Sequence, residues 1–168
     1  MLYSDESRFG LVSDDYRERV WRERGGQNRL ATAIGVAPYR GGTQMFWGGI
    51  RFNGRTQLIH IPGTMTGAYY LQNIINAIVQ PLRNEIGDQF IFMDDNARPH
   101  RTRAVQQALE NGNIARLEWP AMSPDTNPIE HVWYYVSRAI FNRNNPPRST
   151  QELIVAATEG NGTIFHRK

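Results

Sequence analysis

The sequence predicts an α/β protein with a mixed sheet, flanking helices and a long insert after the first strand. Three observations predict it. Segments 45–52 and 55–61 flank Asn53-Gly54, a dipeptide suited to a two-residue type I′ turn, and so read as an antiparallel hairpin. After the hairpin, helical and strand-like segments alternate through 66–85, 90–93, 101–110, 114–117 and 127–141. The run Phe90-Ile91-Phe92-Met93 is apolar throughout, as in a strand covered on both faces. A hairpin followed by β-α-β-α gives a mixed sheet.

In chain order, residues 2–4 form a short candidate strand carrying Asp5, and residues 8–12 look extended. Residues 14–24 are dense in charge and read as exposed. Residues 25–42, bounded by Gly25-Gly26 and Gly41-Gly42, read as a long irregular connection, a kind of loop that is commonly functional or mobile. In 66–85 the apolar residues Tyr70, Leu71, Ile74, Ile75, Ile78, Val79 and Leu82 fall at helical spacing. Thr66 is the expected N-cap, Pro81 is expected to kink or end the helix, and Gly87 to stop it. In 127–141 the expectation is Asn127 at the cap, Pro128 at the first helical position and Glu130 at the third, over a stripe of Ile129, Val132, Trp133, Val136 and Ile140. Ser149 to Glu152 makes a second capping box, opening a last helix that Gly160-Asn161-Gly162 ends. Residues 1–145 are expected to form one catalytic domain and 146–168 a C-terminal helix with a divergent tail.

Composition narrows the classes. A chain of 168 residues with 40% apolar content suffices for one domain with a real core. No apolar run approaches the ~20 residues that span a bilayer, so no membrane partner is expected, and residues 1–6 lack the pattern of a signal peptide. With no cysteine, disulfides and thiolate metal sites are excluded. The formal charge is +3, and Lys168 is the only lysine. Arginine binds phosphate in a bidentate way, which suits a nucleic-acid partner. There is no P-loop, no Gly-x-Ser-x-Gly and no cysteine nucleophile.

The residues left for chemistry are acids. Asp94 and Asp95 end the apolar strand, and Glu130 opens a helix, with 34 residues between it and Asp95. A strand end and a helix start can bring oxygen ligands into one cleft, as hard divalent cations require. Each acid also has an ordinary structural reading: Glu130 in a capping box, Asp94 and Asp95 as a strand-end pair or an Asx turn. Strand alternation lets only one of Asp94 and Asp95 face a given cleft, and the pattern leaves open which. His100 and His131 flank the acids without a third histidine at ligand spacing, so both read as structural. Arg98, Arg101 and Arg103 beside Asp95 are expected to contact phosphate.

Asp95-Asn96-Ala97-Arg98-Pro99-His100, then Trp119-Pro120, then Ser123-Pro124-Asp125-Thr126-Asn127-Pro128-Ile129-Glu130-His131-Val132-Trp133, resembles the catalytic (DDE) domain of mariner-superfamily DNA transposases, in its Tc branch. Ser4-Asp5-Glu6-Ser7-Arg8-Phe9 and Phe46-Trp47-Gly48-Gly49-Ile50 resemble two further motifs of that family, so the likeness runs from about residue 2 to 157. The resemblance implies a ribonuclease-H-like fold. It also implies an Asp5, Asp95 and Glu130 triad holding two Mg²⁺ or Mn²⁺ ions, and it favours Asp95 over Asp94. The implied activity is a metal-dependent endonuclease and strand transferase that cuts and joins DNA. The implied partners are transposon ends and target DNA, with Arg98, Arg101, Arg103 and His100 as contacts, a homodimer as assembly and the nucleus as location. Departures from the family stand at Thr126, Tyr134 and the break at 159–163, and the family's usual helix-turn-helix modules do not precede Asp5. The expectation from these is an N-terminally truncated or decayed copy that does not transpose alone. The alternative function is a catalytically silent remnant that binds nucleic acid weakly or is purely structural; a paired-carboxylate glycosidase is a remote third.

Overall fold

A computed structural model describes residues 1–11, 42–117 and 127–159. The charged stretch 14–24, most of the glycine-rich connection, Trp119-Pro120, the motif residues 123–126 and the glycines that were to end the last helix lie outside the described residues. The six strands are β1 (Leu2–Phe9), β2 (Gln44–Arg51), β3 (Gly54–Arg55), β4 (Ile59–Ile61), β5 (Ile91–Met93) and β6 (Ala115–Arg116). They form one sheet in the order β3-β2-β1-β5-β6, with β4 also paired to β2. The β1–β2 pairing is antiparallel, while β1–β5 and β5–β6 are parallel, so the sheet is mixed. The helices are α1 (Gly67–Tyr70), a π-helical stretch (Leu71–Val79), α2 (Gln80–Ile86), a 3₁₀ turn (Arg98–Arg101), α3 (Arg103–Asn111), α4 (Ile129–Phe141) and α5 (Thr150–Glu159).

A core lies on each face of the sheet. On one face Leu2, Trp47 and Phe92 meet Tyr70, Ile74, Ile75 and Val79 from the 67–86 rod, with Val105 and Leu109 of α3. On the other, Phe9 and Phe46 meet Ile129, Trp133, Val136 and Ile140 of α4 and Leu153, Ala156 and Ala157 of α5. β1, bonded on both edges and covered on both faces, is the centre of the fold. The sequence reading split it into two pieces, 2–4 and 8–12; it is one strand, because its register with β2 runs unbroken from Tyr3↔Ile50 to Phe9↔Gln44.

The hairpin turn lies one residue before its predicted place. Arg51 pairs with Gly54, which leaves Phe52 and Asn53 as the turn residues. Among the described residues only Asn113 is a non-glycine with positive φ, so Asn53 does not adopt the type I′ conformation. The mismatch is absorbed downstream. Ile50 faces Arg55 but Trp47 faces Ile59, so the second strand carries one extra residue, a bulge that divides β3 from β4. Thr56 satisfies the backbone there: its N–H donates to the Gly49 carbonyl at 2.8 Å, and its hydroxyl accepts from the Gly49 N–H at 2.8 Å.

Thr66 caps the long rod as expected, its hydroxyl accepting from the Tyr69 N–H at 3.1 Å. Pro81 does not end the rod, which runs on to Ile86 and stops at Gly87 with φ 85°. The preceding turns are wider, with the Gln80 N–H reaching the Ile75 carbonyl five residues back. Proline, lacking an N–H, sits where that spacing gives way to ordinary α-helix, so its missing donor falls at a junction. At α4 the first helical residue is Ile129, not Pro128, and the Asn127 side chain accepts from the Ile129 N–H at 3.2 Å. At α5, Ser149 Oγ accepts from the Glu152 N–H at 3.2 Å, and Glu152 accepts from the Arg148 N–H at 2.8 Å. No described helix is long and apolar enough to cross a membrane.

Candidate active site

Strand alternation sorts the acids between the two faces. Leu2, Ser4 and Glu6 turn to the face of the 67–86 rod; Tyr3, Asp5, Ser7 and Phe9 turn to the face of α4. On β5, Phe92 pairs with Leu2 and Met93 with Tyr3. Continuing that register past the last bonded pair sets Asp94 on the face of Ser4 and Asp95 on the face of Asp5. The two aspartates accordingly differ in their surroundings. Asp94 is buried, accepting from the Tyr70 hydroxyl at 3.2 Å and from Arg116 Nη2 at 2.9 Å. Burial raises its carboxyl, and the Arg116 cation pulls only partly the other way. Asp94 is thus a structural acid tied to the core, and Asp95 opens toward the cleft.

Asp5 sits on the face covered by α4. Its Oδ2 accepts from the Trp133 indole N–H at 3.3 Å. That indole fits because the residue paired with Asp5 on β2 is Gly48, where a Cβ would stand 3.0 Å from the Trp133 ring and 2.8 Å from Leu58. Burial pushes the Asp5 carboxyl up to about 7; the Glu6 N–H opposes this, and the negative charges of Glu6, Glu130 and Asp95 add to it. The charges that reach Asp5 thus come from its neighbour Glu6, from the first turn of α4 and from the end of β5.

Glu130 is exposed. The capping-box role that competed for it is not taken up, since among the described residues its carboxylate makes no return bond to Asn127. Among the described residues the side chain that caps the α4 start is that of Asn127.

Asp95 is held differently. Its Oδ1 accepts from the Ala97 N–H at 2.8 Å, an Asx turn, and lies 2.7 Å from His100 Nδ1. Burial alone would raise this carboxyl, but those two bonds and the nearby Arg101 charge hold it below its ordinary value. His100 is only 1% exposed and stacks on Tyr70, with ring centroids 4.0 Å apart. Its Nε2 lies 3.3 Å from Glu6 Oε1, an ion-pair distance without hydrogen-bond alignment. Burial would lower the imidazole, yet Asp95 and Glu6 overcome it and raise the ring to about 10. The expected DNA contact by His100 does not fit this burial: both ring nitrogens face acids inside the protein.

Arg98 and Arg103 are exposed beside Asp95, on the 3₁₀ turn and the first turn of α3. Arg101 is half-buried and donates to the Asn96 side chain. Among the described residues, the group whose potential ligand atoms all lie within 4.8 Å of one another is Glu6, Asp95 and His100. Asp5 and Glu130, the other two acids expected from the sequence, stand outside that tight group. Carboxylates crowded together without a counter-charge repel, and Asp95 is drawn toward the protonated His100 instead. The sequence reading missed Glu6 as a member of this cluster; its signal was its place next to Asp5 on a strand whose following face carries His100. The donor set is mostly carboxylate oxygen, and Asp5, raised first by burial, also feels the negative charges of Glu6, Glu130 and Asp95. Both suit hard divalent cations.

The family model described as DDE superfamily endonuclease matches residues 1–154. The Tc1 transposase of Caenorhabditis elegans is 31% identical over 141 residues, covering 83% of this chain and 51% of its own length. The Tcb2 transposase of Caenorhabditis briggsae is 29% identical over 139 residues, with coverage of 83% and 51%. The chain thus spans about half the length of the curated relatives it matches. Among solved structures, the Mos1 mariner paired end complex with Mn aligns with a TM-score of 0.71 at 25% identity, over 96% of this chain and 47% of that chain. The Mos1 transposase catalytic domain with Raltegravir and Mg aligns with a TM-score of 0.60 at 26% identity, over 72% and 63%. The ribonuclease-H-like, mixed-sheet architecture expected from the sequence is the one these catalytic domains share with it.

Proposed function

We propose that this chain, which belongs to the DDE superfamily endonuclease family, is a transposase catalytic domain that cuts and joins DNA phosphodiesters. The observation that supports the reading is the electrostatic reach of Glu130 and Asp95 to Asp5, whose carboxyl is raised first by burial and further by the negative charges of Glu6, Glu130 and Asp95. In this reading Asp5, Asp95 and Glu130 would hold two divalent cations, Mg²⁺ or Mn²⁺. When bound, such cations supply activation of an attacking water or hydroxyl and stabilisation of the leaving oxygen in an in-line displacement. The chain's own residues prepare that cleft. The Trp133 N–H fixes one oxygen of Asp5, and the Ala97 N–H fixes one oxygen of Asp95. Exposed Arg98 and Arg103 offer bidentate contacts to the phosphates on either side. The partner is DNA, by analogy with neighbours such as the Mos1 paired-end complex with the left transposon end, and the nucleus is the matching location.

The test is nicking of supercoiled plasmid in Mg²⁺, Mn²⁺ or chelator. Cleavage is expected with either metal and not with chelator. Asp95→Asn and Glu130→Gln keep shape while removing charge, and each should abolish cutting; the urea midpoint should change little in Glu130→Gln and fall in Asp95→Asn, which removes one of the two acids facing the buried His100. Retained cleavage in either variant would place the metal site elsewhere. A wild-type chain that binds Mn²⁺ and DNA yet never nicks would instead be the silent remnant.

A further inference from the structure

The buried stripe of α4 is complete without its tyrosines. Ile129, Trp133, Val136 and Ile140 fill the second core, while Tyr134 is 51% exposed and Tyr135 61% exposed. Two adjacent aromatic rings on a solvated helix face are costly ornaments unless something covers them. A cation accompanies them. Arg138 lies over the Tyr134 ring, 5.7 Å from its centroid, and donates from Nη1 to the Tyr134 hydroxyl at 3.0 Å. Tyr135 meets Tyr134 edge-on, with centroids 5.6 Å apart and an angle of 69°. Tyr134 stands one helical turn after Glu130 and Arg138 one turn further, so the three form a stripe leading away from the cleft.

We propose that Tyr134 and Arg138 form a stacking contact for an unpaired nucleotide of the DNA strand held at the acidic cleft. The inference rests on the nuclease reading above and adds a specificity to it: single-stranded rather than duplex DNA next to the cut. An aromatic ring gives any base a flat surface to stack on, and a guanidinium packed over that ring supplies charge for the adjoining phosphate. A duplex hides its base faces and gains only the charge. The position matters as much as the chemistry. Residues at i and i+4 on a helix lie ~5–6 Å apart, so a strand whose phosphate reaches Glu130 has its neighbouring base at Tyr134. The Tyr134 hydroxyl is already engaged by Arg138, which leaves the ring face as the part on offer.

The experiment measures binding of a fluorescein-labelled single strand and of the corresponding duplex in chelator, where nothing is cut. Wild type is compared with Tyr134→Ala, Tyr134→Phe and Arg138→Ala across a salt series. Tyr134→Ala is expected to weaken single-strand binding roughly 5- to 100-fold with duplex binding little changed. Tyr134→Phe keeps the ring and should bind like wild type. Arg138→Ala should weaken both and lower the single-strand salt slope by ~0.7. Unchanged single-strand binding in Tyr134→Ala overturns the proposal, as does an equal loss on duplex, or a Tyr134→Phe as weak as Tyr134→Ala. Sedimentation is run alongside. A wild-type dimer that Tyr134→Ala converts to monomer would make the patch a contact between copies and overturn the proposal. Wild type that binds neither DNA overturns this proposal, whereas the nuclease reading is decided separately by the metal-dependent nicking assay.

Discussion

Asp5 shows at the scale of one residue how the cleft stores its need for a cation. Its carboxyl titrates near 7 in the fold and near 3.8 as an ordinary group. Below about pH 4 it is protonated in both states. Between these values the fold holds a proton that the unfolded chain has released. The stability it contributes is therefore fully present below about 3.8 and is lost as pH rises through about 7. In the metal-free protein, Asp5→Asn imitates the protonated form. It should be more stable than wild type at pH 8, by ~2–4 kcal/mol, and equal to it at pH 3.5. Urea midpoints at the two values check this. Added Mn²⁺ should raise the wild-type midpoint at pH 8 and leave that of Asp5→Asn nearly still, since the cation competes for the same oxygens as the proton.

Between β2 and α4 a glycine and a tryptophan share one space. Gly48→Ala would set a Cβ 2.8 Å from Leu58 and 3.0 Å from the Trp133 ring. It is expected to cost ~1–3 kcal/mol by overpacking, read from urea unfolding. Trp133→Phe in the Gly48→Ala background should recover part of that loss, because the smaller ring vacates the place the methyl needs. Elements of this kind mark the limit of what the sequence discloses. The rod over 66–85 and the helix over 127–141 were legible because their apolar residues repeat at 3.6 over several turns. The β2 hairpin was legible in kind but not in register: Asn53-Gly54 favours a tight turn locally, while the fitting of Phe46 and Trp47 into opposite cores decides the pairing and places the bulge at Thr56. The π-helical turns of 71–79 carry no pattern distinct from an α-helix. In the cleft, the acids were legible from their motifs and alternation told that only one of Asp94 and Asp95 could face it. Which one depends on the phase of β5, fixed by Phe92 against Leu2, a contact between residues distant in sequence. His100 was legible as a structural residue; its grip on Glu6 was not, since that contact joins β1 to the turn after β5.

For the whole molecule, two cores on opposite faces hold a single sheet, and the acidic cleft lies at one end of its central strands. A formal charge of +3 gives only modest general attraction to DNA. The local attraction falls to Arg98, Arg101 and Arg103 around Asp95. Replacing all three with alanine is expected to weaken duplex binding at every sequence alike and to flatten the salt dependence by about two to three units of slope. An unchanged slope in fluorescence anisotropy would return these arginines to the solvated surface. The central place of β1 has a consequence for how the protein comes into being. Asp5 leaves the ribosome 128 residues ahead of the indole that fixes it. Its parallel neighbour β5 and the glutamate on α4 are likewise late arrivals. No nascent fragment that stops short of α4 can bring Asp5, Asp95 and Glu130 together. Synthesis itself thus acts as a safety catch: in the nuclease reading, the cutting centre waits until α4 has been translated and has folded onto β1.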